Sequence, residues 1–217
     1  MNIYILNLPA ELKWHNFKKY VCYVSKERII KTNKYISDNK KLISLFSEIF
    51  VRFCLIYFFN INNETIEFNY GENQKPFLKK NNNLYFSISH SINTIGVAID
   101  NNPIGLDPEI ERTIDLDIIS AFYSRKESFE VFKDKNIYKN FWQIWTQKEA
   151  RVKLFGKNFL YINNTRLLKK CFVYTGFYKL KTNNIIFSIA SDTKSNVKVK
   201  NICFEKMLEK FELYKDK

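Results

Sequence analysis

With 217 residues, 46% hydrophobic and 17% aromatic, the chain can bury a sizeable core in one large domain or two small lobes. Its formal charge of +13 favours anionic partners, although a composition rich in Asn, Lys and Ile accounts for part of it. No apolar run of about eighteen residues appears, since residues 49–59 are interrupted by Arg52, and the N-terminus lacks a signal-peptide pattern. Cys22, Cys54, Cys171 and Cys203 are scattered, with only His15 and His90 beside them, which excludes a zinc motif and predicts reduced thiols in or near the core. The expectation is a cytoplasmic protein.

In chain order, residues 3–6 read as a short strand, and 11–23 and 26–35 as helices. Asp38 is expected to cap a long helix over residues 40–58. There Leu42, Leu45, Phe46, Ile49, Phe50, Phe53 and Cys54 keep helical spacing, as the core helix of a first lobe would. Residues 64–70 alternate as a strand, Asn81-Asn82-Asn83 marks a turn, and residues 84–89 and 94–100 continue the sheet. Asn101-Asn102-Pro103 is the best boundary, because a turn-favouring pair and a proline precede a new strand. Beyond it, helical stretches at 115–123, 125–132 and 138–155 precede strands at 171–178, 185–190 and 196–204, and a charged tail follows. The shared order of helices then strands predicts an α+β protein of two similar lobes, residues 1–102 and 103–217, with a cleft between them.

Asp107 and Glu109 stand two residues apart in Pro103-Ile104-Gly105-Leu106-Asp107-Pro108-Glu109, so on a strand both face one way while Leu106 and Pro108 face the other. On the helix over 138–155, Trp145, Glu149 and Lys153 recur at i, i+4 and share one stripe. Each pattern alone has an ordinary reading: a solvated strand pair, or a packed aromatic beside an ion pair. Together Asp107, Glu109 and Glu149 offer three hard oxygen ligands, a pattern that predicts Mg²⁺-assisted chemistry on a phosphate ester, with Mn²⁺ fitting the same donors. Phe86-Ser87-Ile88-Ser89-His90-Ser91 adds a Ser-His-Ser turn able to donate hydrogen bonds to a phosphate. A magnesium-dependent nuclease or phosphodiesterase, or a non-catalytic basic binding module, shares parts of this pattern. A pure binder has no need of a metal claw, and no RNA-binding signature of aromatic and glycine residues is present.

These motifs, together with Trp145-Thr146-Gln147-Lys148-Glu149-Ala150-Arg151-Val152-Lys153, resemble in order and spacing the 4'-phosphopantetheinyl transferases of the larger monomeric type that activates peptide and polyketide synthetases. Gln74-Lys75-Pro76 is similar to that family's Gly-Lys-Pro turn, and Ser25 to Lys31 to its basic segment. The resemblance implies a pseudo-dimeric fold with the active site in the cleft between the lobes. It implies coenzyme A bound mainly by residues 1–102, and metal and catalysis carried by residues 103–217. In that reaction a serine of an apo acyl, peptidyl or aryl carrier protein takes phosphopantetheine from coenzyme A, and adenosine 3',5'-bisphosphate leaves. By the same resemblance Asp107, Glu109 and Glu149 hold Mg²⁺, Glu149 also accepts the serine proton, and Lys153 pairs with the leaving phosphate. Arg28, Lys31, Ser44, Lys75, Pro76, Ser89 and His90 hold the coenzyme; of these Arg28, Lys31, Lys75, Ser89 and His90 are implied to hold its nucleotide, 3'-phosphate and diphosphate.

Several positions depart from the family pattern. Gln74 and Ile92 stand where glycine is usual, and Ile43 and Ser47 replace an arginine and a glycine. Ser44 is expected to reach a phosphate and Lys40 or Lys41 to make up the missing charge. The basic surface suits an acidic carrier protein rather than nucleic acid or membrane, with residues 116–123 as a candidate docking patch and a monomer as the expected state.

Overall fold

In the computed structural model, residues 1–80, 83–158, 161–162, 169–179 and 184–214 are described; Asn81 and Asn82 of the expected turn lie outside them. The first half comprises β1 (Asn2–Asn7), α1 (Trp14–Phe17) running into a 3₁₀ turn (Lys18–Tyr23), α2 (Lys26–Asn33) and α3 (Asp38–Phe59). The short β2 (Phe68–Tyr70) and β3 (Pro76–Leu78) then precede β4 (Tyr85–Ser91) and β5 (Thr94–Asp100). The second half follows with β6 (Ile104–Ile110), α4 (Ile118–Phe122), α5 (Arg125–Phe132), α6 (Ile137–Leu154), β7 (Phe172–Lys179), β8 (Asn184–Ser191), β9 (Lys198–Ile202) and α7 (Phe204–Tyr214). The protein is thus a mixed α and β structure.

Strand periodicity builds the core. On β1, Tyr4 and Leu6 join the cluster around Phe46, Ile49 and Phe50 of α3, while Ile3 and Ile5 join Leu106, Phe187 and Ile189 of the second half. The first sheet runs β4-β5-β1-β9 and the second β6-β8-β7, so the two sheets pack on each other with α3 outside one and α6 outside the other. Gly96 makes room at this junction: a Cβ there would meet Leu106 Cδ2 and Pro108 Cγ, each at 3.0 Å. Pro108 therefore points into the packing and leaves Asp107 and Glu109 on the opposite face.

Three local expectations are corrected. Ser37, in extended conformation, is the N-cap of α3, and Asp38 lies in its first turn, where its charge suits the helix dipole. By length and hydropathy α3 can cross a bilayer, because it adds the apolar residues from Leu42 onward to the run ending at Phe59; most of it is buried inside the protein. The charged tail folds as α7: Phe204, Met207 and Phe211 recur on one face and bury against Phe46 and its neighbours. With β9 parallel to β1, this segment returns to the sheet of the first half. Of the four cysteines, Cys54 is buried, Cys171 half-buried, and Cys22 and Cys203 exposed; all carry free thiols.

Candidate active site

The site is built by two strands from different sheets and one helix. On β4 the alternating Ser87, Ser89 and Ser91 face β6 and stitch to it: Leu106 N donates to Ser87 Oγ at 2.9 Å and Ile110 N to Ser91 Oγ at 3.3 Å. Ser89 Oγ donates to Asp107 Oδ1 at 2.9 Å, and Ser91 Oγ donates to Glu109 Oε2. The hydroxyls expected to form a phosphate-binding turn thus lie on a strand and are committed to β6 and its carboxylates. The turn itself falls at Ile92 and Asn93.

Gly105 brings α6 onto β6. A Cβ there would lie 2.0 Å from Ala150 O and 2.4 Å from Leu154 N, so only a glycine lets the helix backbone approach this closely. Three successive residues, pointing to different sides, then anchor α6. Thr146 Oγ1 shares a buried hydrogen bond of 2.8 Å with Ser188 Oγ, Gln147 Nε2 donates to Thr175 Oγ1, and the buried Lys148 Nζ donates to Phe122 O and Glu127 Oε2. The remaining face carries Trp145, Glu149 and Lys153 into a cavity of about 890 Å³. Lys153 Nζ donates to Asp107 Oδ1 at 2.5 Å and to Ser89 Oγ at 2.7 Å, and lies 3.8 Å from Glu149 Oε2.

Burial, opposed by Lys153 and Ser89, pushes the Asp107 carboxyl up. Burial and the charge of Asp107 push Glu109 up, against Ser91 and Arg112. Burial, opposed by Lys153 and reinforced by Asp107 and Glu109, raises Glu149. Burial acts to lower Lys153, yet Asp107 and Glu149 more than offset it and keep the ammonium charged. Among the described residues no three His, Cys, Asp or Glu side chains gather closely enough to hold one ion. Asp107, Glu109 and Glu149 share the cavity, as the sequence predicts, but they do not form a closed ligand set, because the Lys153 ammonium bridges Asp107 and Glu149. The donor chemistry still suits a hard cation: three carboxylates face one bridging ammonium, and buried Asp107 Oδ2 has no hydrogen-bond partner.

Two family models match the chain. That of the 4'-phosphopantetheinyl transferase N-terminal region matches residues 8–102, and that of the 4'-phosphopantetheinyl transferase superfamily residues 103–204. The chain is 31% identical over 176 residues to 4'-phosphopantetheinyl transferase gsp of Aneurinibacillus migulanus, covering 80% of this chain and 73% of that protein. It is 27% identical over 159 residues to 4'-phosphopantetheinyl transferase Sfp of Bacillus subtilis (strain 168), covering 72% and 71% respectively. The chain belongs to the 4'-phosphopantetheinyl transferase family. It transfers phosphopantetheine to carrier proteins.

In this transferase Arg28, Lys31, Lys75, Pro76, Ser89 and His90 line the same cavity as Asp107, Glu109, Glu149 and Lys153. Ser44 does not: it is buried between α2 and α3, sharing a hydrogen bond of 2.8 Å with Thr32 Oγ1. Lys40 and Lys41 also lie off the cavity wall, and Lys41 sits over the Trp14 ring. Ile43 is core. Lys75 faces the cavity but spends its ammonium on Ile104 O, Lys153 O and Leu154 O at 3.1, 2.6 and 3.2 Å, capping α6 at its C-terminus. Burial brings its pKa down to about 8.

Residues 116–123 pack on their own half. Ile119 and Tyr123 are buried with Phe141 and Trp142, and Leu116, Ile118 and Phe122 cover them, so the apolar face of α4 is spent on the core. The sequence reading missed Lys34, Ser47 and Lys157, which also line the cavity. Lys34 ends the basic run of α2, a signal the motif comparison passes over. At Gln74 and Ile92 the backbone is left-handed, with φ of 62° and 52°, so these side chains hold a conformation that costs about 1–2 kcal/mol each.

Proposed function

We propose that coenzyme A binds in this cavity with its nucleotide toward Arg28, Lys31 and Lys34 and its diphosphate toward Lys153 and the three carboxylates. A serine of an apo acyl, peptidyl or aryl carrier protein is the acceptor. The observation that carries this reading is the make-up of the cavity wall: cations of α2 and its C-cap line the same cavity as the Asp107, Glu109, Glu149 and Lys153 cluster from β6 and α6.

Asp107, Glu109 and Glu149 are the residues that would hold Mg²⁺, or Mn²⁺, and the ion when bound supplies neutralisation of charge on the phosphate oxygens. Glu149, whose pKa burial raises, is suited to accept the serine proton. The serine oxygen forms a bond to the phosphorus next to pantetheine as the bond to the bridging oxygen breaks, and adenosine 3',5'-bisphosphate departs. Lys153, kept charged by Asp107 and Glu149, donates to the departing phosphate. The enzyme supplies position and charge and no nucleophile of its own.

The same reading divides the chain into a coenzyme-binding lobe, residues 1–102, and a catalytic lobe, residues 103–217, as a pseudo-dimer with the site in the cleft between them. Support comes from the two family matches, which meet between residues 102 and 103, and from the helix-on-sheet arrangement of each half. In this division β9 and α7 cross back to brace the first lobe. The reading is of a cytoplasmic monomer with no nucleic-acid or membrane partner; free thiols suit a reducing compartment.

The test is mass spectrometry of an apo carrier protein incubated with the transferase and coenzyme A, with Mg²⁺ or with EDTA. A metal-dependent gain of one phosphopantetheine on the carrier serine is expected. Equal gain with EDTA would remove the metal from the proposal, and no gain on carriers of several classes would overturn the assignment of carrier and coenzyme.

A further inference from the structure

Ser47 lies within α3, only 3% exposed, and its hydroxyl has no hydrogen-bond partner. Such a group is unusual, because a serine inside a helix can return its proton to the carbonyl one turn back. One turn earlier Ser44 is satisfied by Thr32 of α2. A buried donor left unpaired destabilises the free protein, so its retention points to a partner that arrives with a ligand.

The surroundings indicate what that ligand carries. Ser47 lines the cavity together with Arg28, Lys31 and Lys34, all three from α2 and its C-cap, with Glu27 the one carboxylate that α2 adds to this wall. Next to Ser47, the buried Glu48 fixes this wall: it accepts from Ser25 N at 2.6 Å, Ser25 Oγ at 2.8 Å, Arg28 Nε at 3.4 Å and Arg52 Nε at 3.1 Å. Arg28 is thereby held at the cavity in a defined orientation. The cations also feel one another. Burial and Arg28 lower Lys31, and desolvation with Lys153, Lys31 and Arg28 depresses His90 to about 4. A wall of crowded cations with an unpaired donor in its lining matches a phosphate monoester, which offers two charges and several acceptor oxygens.

We propose that the Ser47 hydroxyl donates a hydrogen bond to the phosphate monoester held by Arg28, Lys31 and Lys34, the group that the family resemblance implies is the ribose 3'-phosphate of coenzyme A. The assignment to the ribose phosphate rests on the coenzyme reading above: the reacting diphosphate belongs with Lys153 and the carboxylates, and the ribose phosphate is the one that remains. Ser47 is in these terms a specificity residue, separating 3'-phosphorylated from unphosphorylated nucleotides.

The experiment is calorimetric titration of the wild-type protein and Ser47→Ala with adenosine 3',5'-bisphosphate and with adenosine 5'-monophosphate, neither requiring a carrier protein. The expected result is an affinity loss of about tenfold for the bisphosphate in the variant, the size of one hydrogen bond to a charged acceptor, with the monophosphate changed less than about twofold. Thermal melting supplies a second readout. Without nucleotide, Ser47→Ala is expected to melt higher than wild type, since it removes an unpaired buried hydroxyl and introduces a better helix former. Equal losses for the two nucleotides, no loss for the bisphosphate, or a lower unliganded melting temperature would each overturn the proposal. Transfer to a carrier is measured separately. A protein that shows the nucleotide pattern but modifies no carrier would refute the carrier reading and leave Ser47 as a phosphate donor.

Discussion

Replacing Gly105 by alanine is the sharpest test of how this site is assembled. The new methyl would lie 2.0 Å from Ala150 O, 2.4 Å from Leu154 N and 3.0 Å from Leu154 Cα, all backbone atoms of α6. Because no side-chain tip can swing aside, the helix must retreat by at least about 1 Å, a displacement that in a positioned active site costs on the order of 10²-fold in rate. The retreat carries Glu149 and Lys153 away from Asp107, and it pulls the Lys153 and Leu154 carbonyls away from Lys75. Overpacking of this kind costs about 1–3 kcal/mol, which for a protein of this size lowers the melting temperature by about 2–12 °C. Gly96→Ala is the internal control. Its methyl meets only the side chains of Leu106 and Pro108, at 3.0 Å, which a few tenths of an ångström of repacking relieves. The assay is the initial rate of phosphopantetheine transfer followed by carrier mass, with thermal unfolding in parallel. A Gly105→Ala protein within about threefold of wild-type rate, or one no worse than Gly96→Ala, would refute the claim that this glycine sets the distance between helix and strand.

Four further outcomes follow from the same geometry. Glu149→Gln keeps the side-chain shape and removes the charge, so transfer is expected to fall by at least about 10²-fold with folding retained; wild-type turnover would remove Glu149 from the chemistry. Lys153→Ala is expected to lower kcat more than it weakens coenzyme A binding, and steady-state kinetics beside calorimetry would reveal the reverse. His90 titrates near pH 4 in the free protein because desolvation, Lys153, Lys31 and Arg28 oppose its protonation. The unfolded chain then binds more protons between that value and about 6.5, so the contribution of His90 to stability falls as pH drops through this window. Proton NMR of the two histidines, His15 and His90, checks this, and a His90 midpoint at or above 6 would contradict it. Ile92→Asn places a residue tolerant of left-handed backbone at φ 52° and is expected to stabilise by about 1 kcal/mol, seen as a rise of about 2–4 °C; an unchanged or lower melting temperature would mean that the conformation stores no strain.

What the sequence reveals and what it hides divide along one physical line. Periodicity is local, so α3, α6, β6 and β8 are legible from their apolar spacing, and the alternation that points Asp107 and Glu109 the same way follows from the strand alone. Partner choice is not local. Ser44 and Ser47 are two small hydroxyls on the buried stretch of α3, and no feature of the helix says which one faces the cavity. The packing of α2 decides it by setting Thr32 against Ser44 and the cavity beside Ser47. The alternating serines of β4 look equally able to bind a phosphate or a neighbouring strand, and the side-by-side lie of β4 and β6 commits them to the strand. Lys75 reads as a cation for a ligand until α6 ends against it, when its ammonium meets the last two carbonyls of that helix and Ile104 O of β6. In the charged tail Met207 and Phe211 are outnumbered by polar neighbours, and the parallel return of β9 to β1 brings them, with Phe204, against the first core. In each case the residue type is written in the chain, while its task is fixed by an element more than ten positions away. The carboxylate cluster shows the same logic at the site itself. Its members are legible as acids, but the arrangement in which Lys153 bridges Asp107 and Glu149 depends on Gly105 letting α6 approach β6.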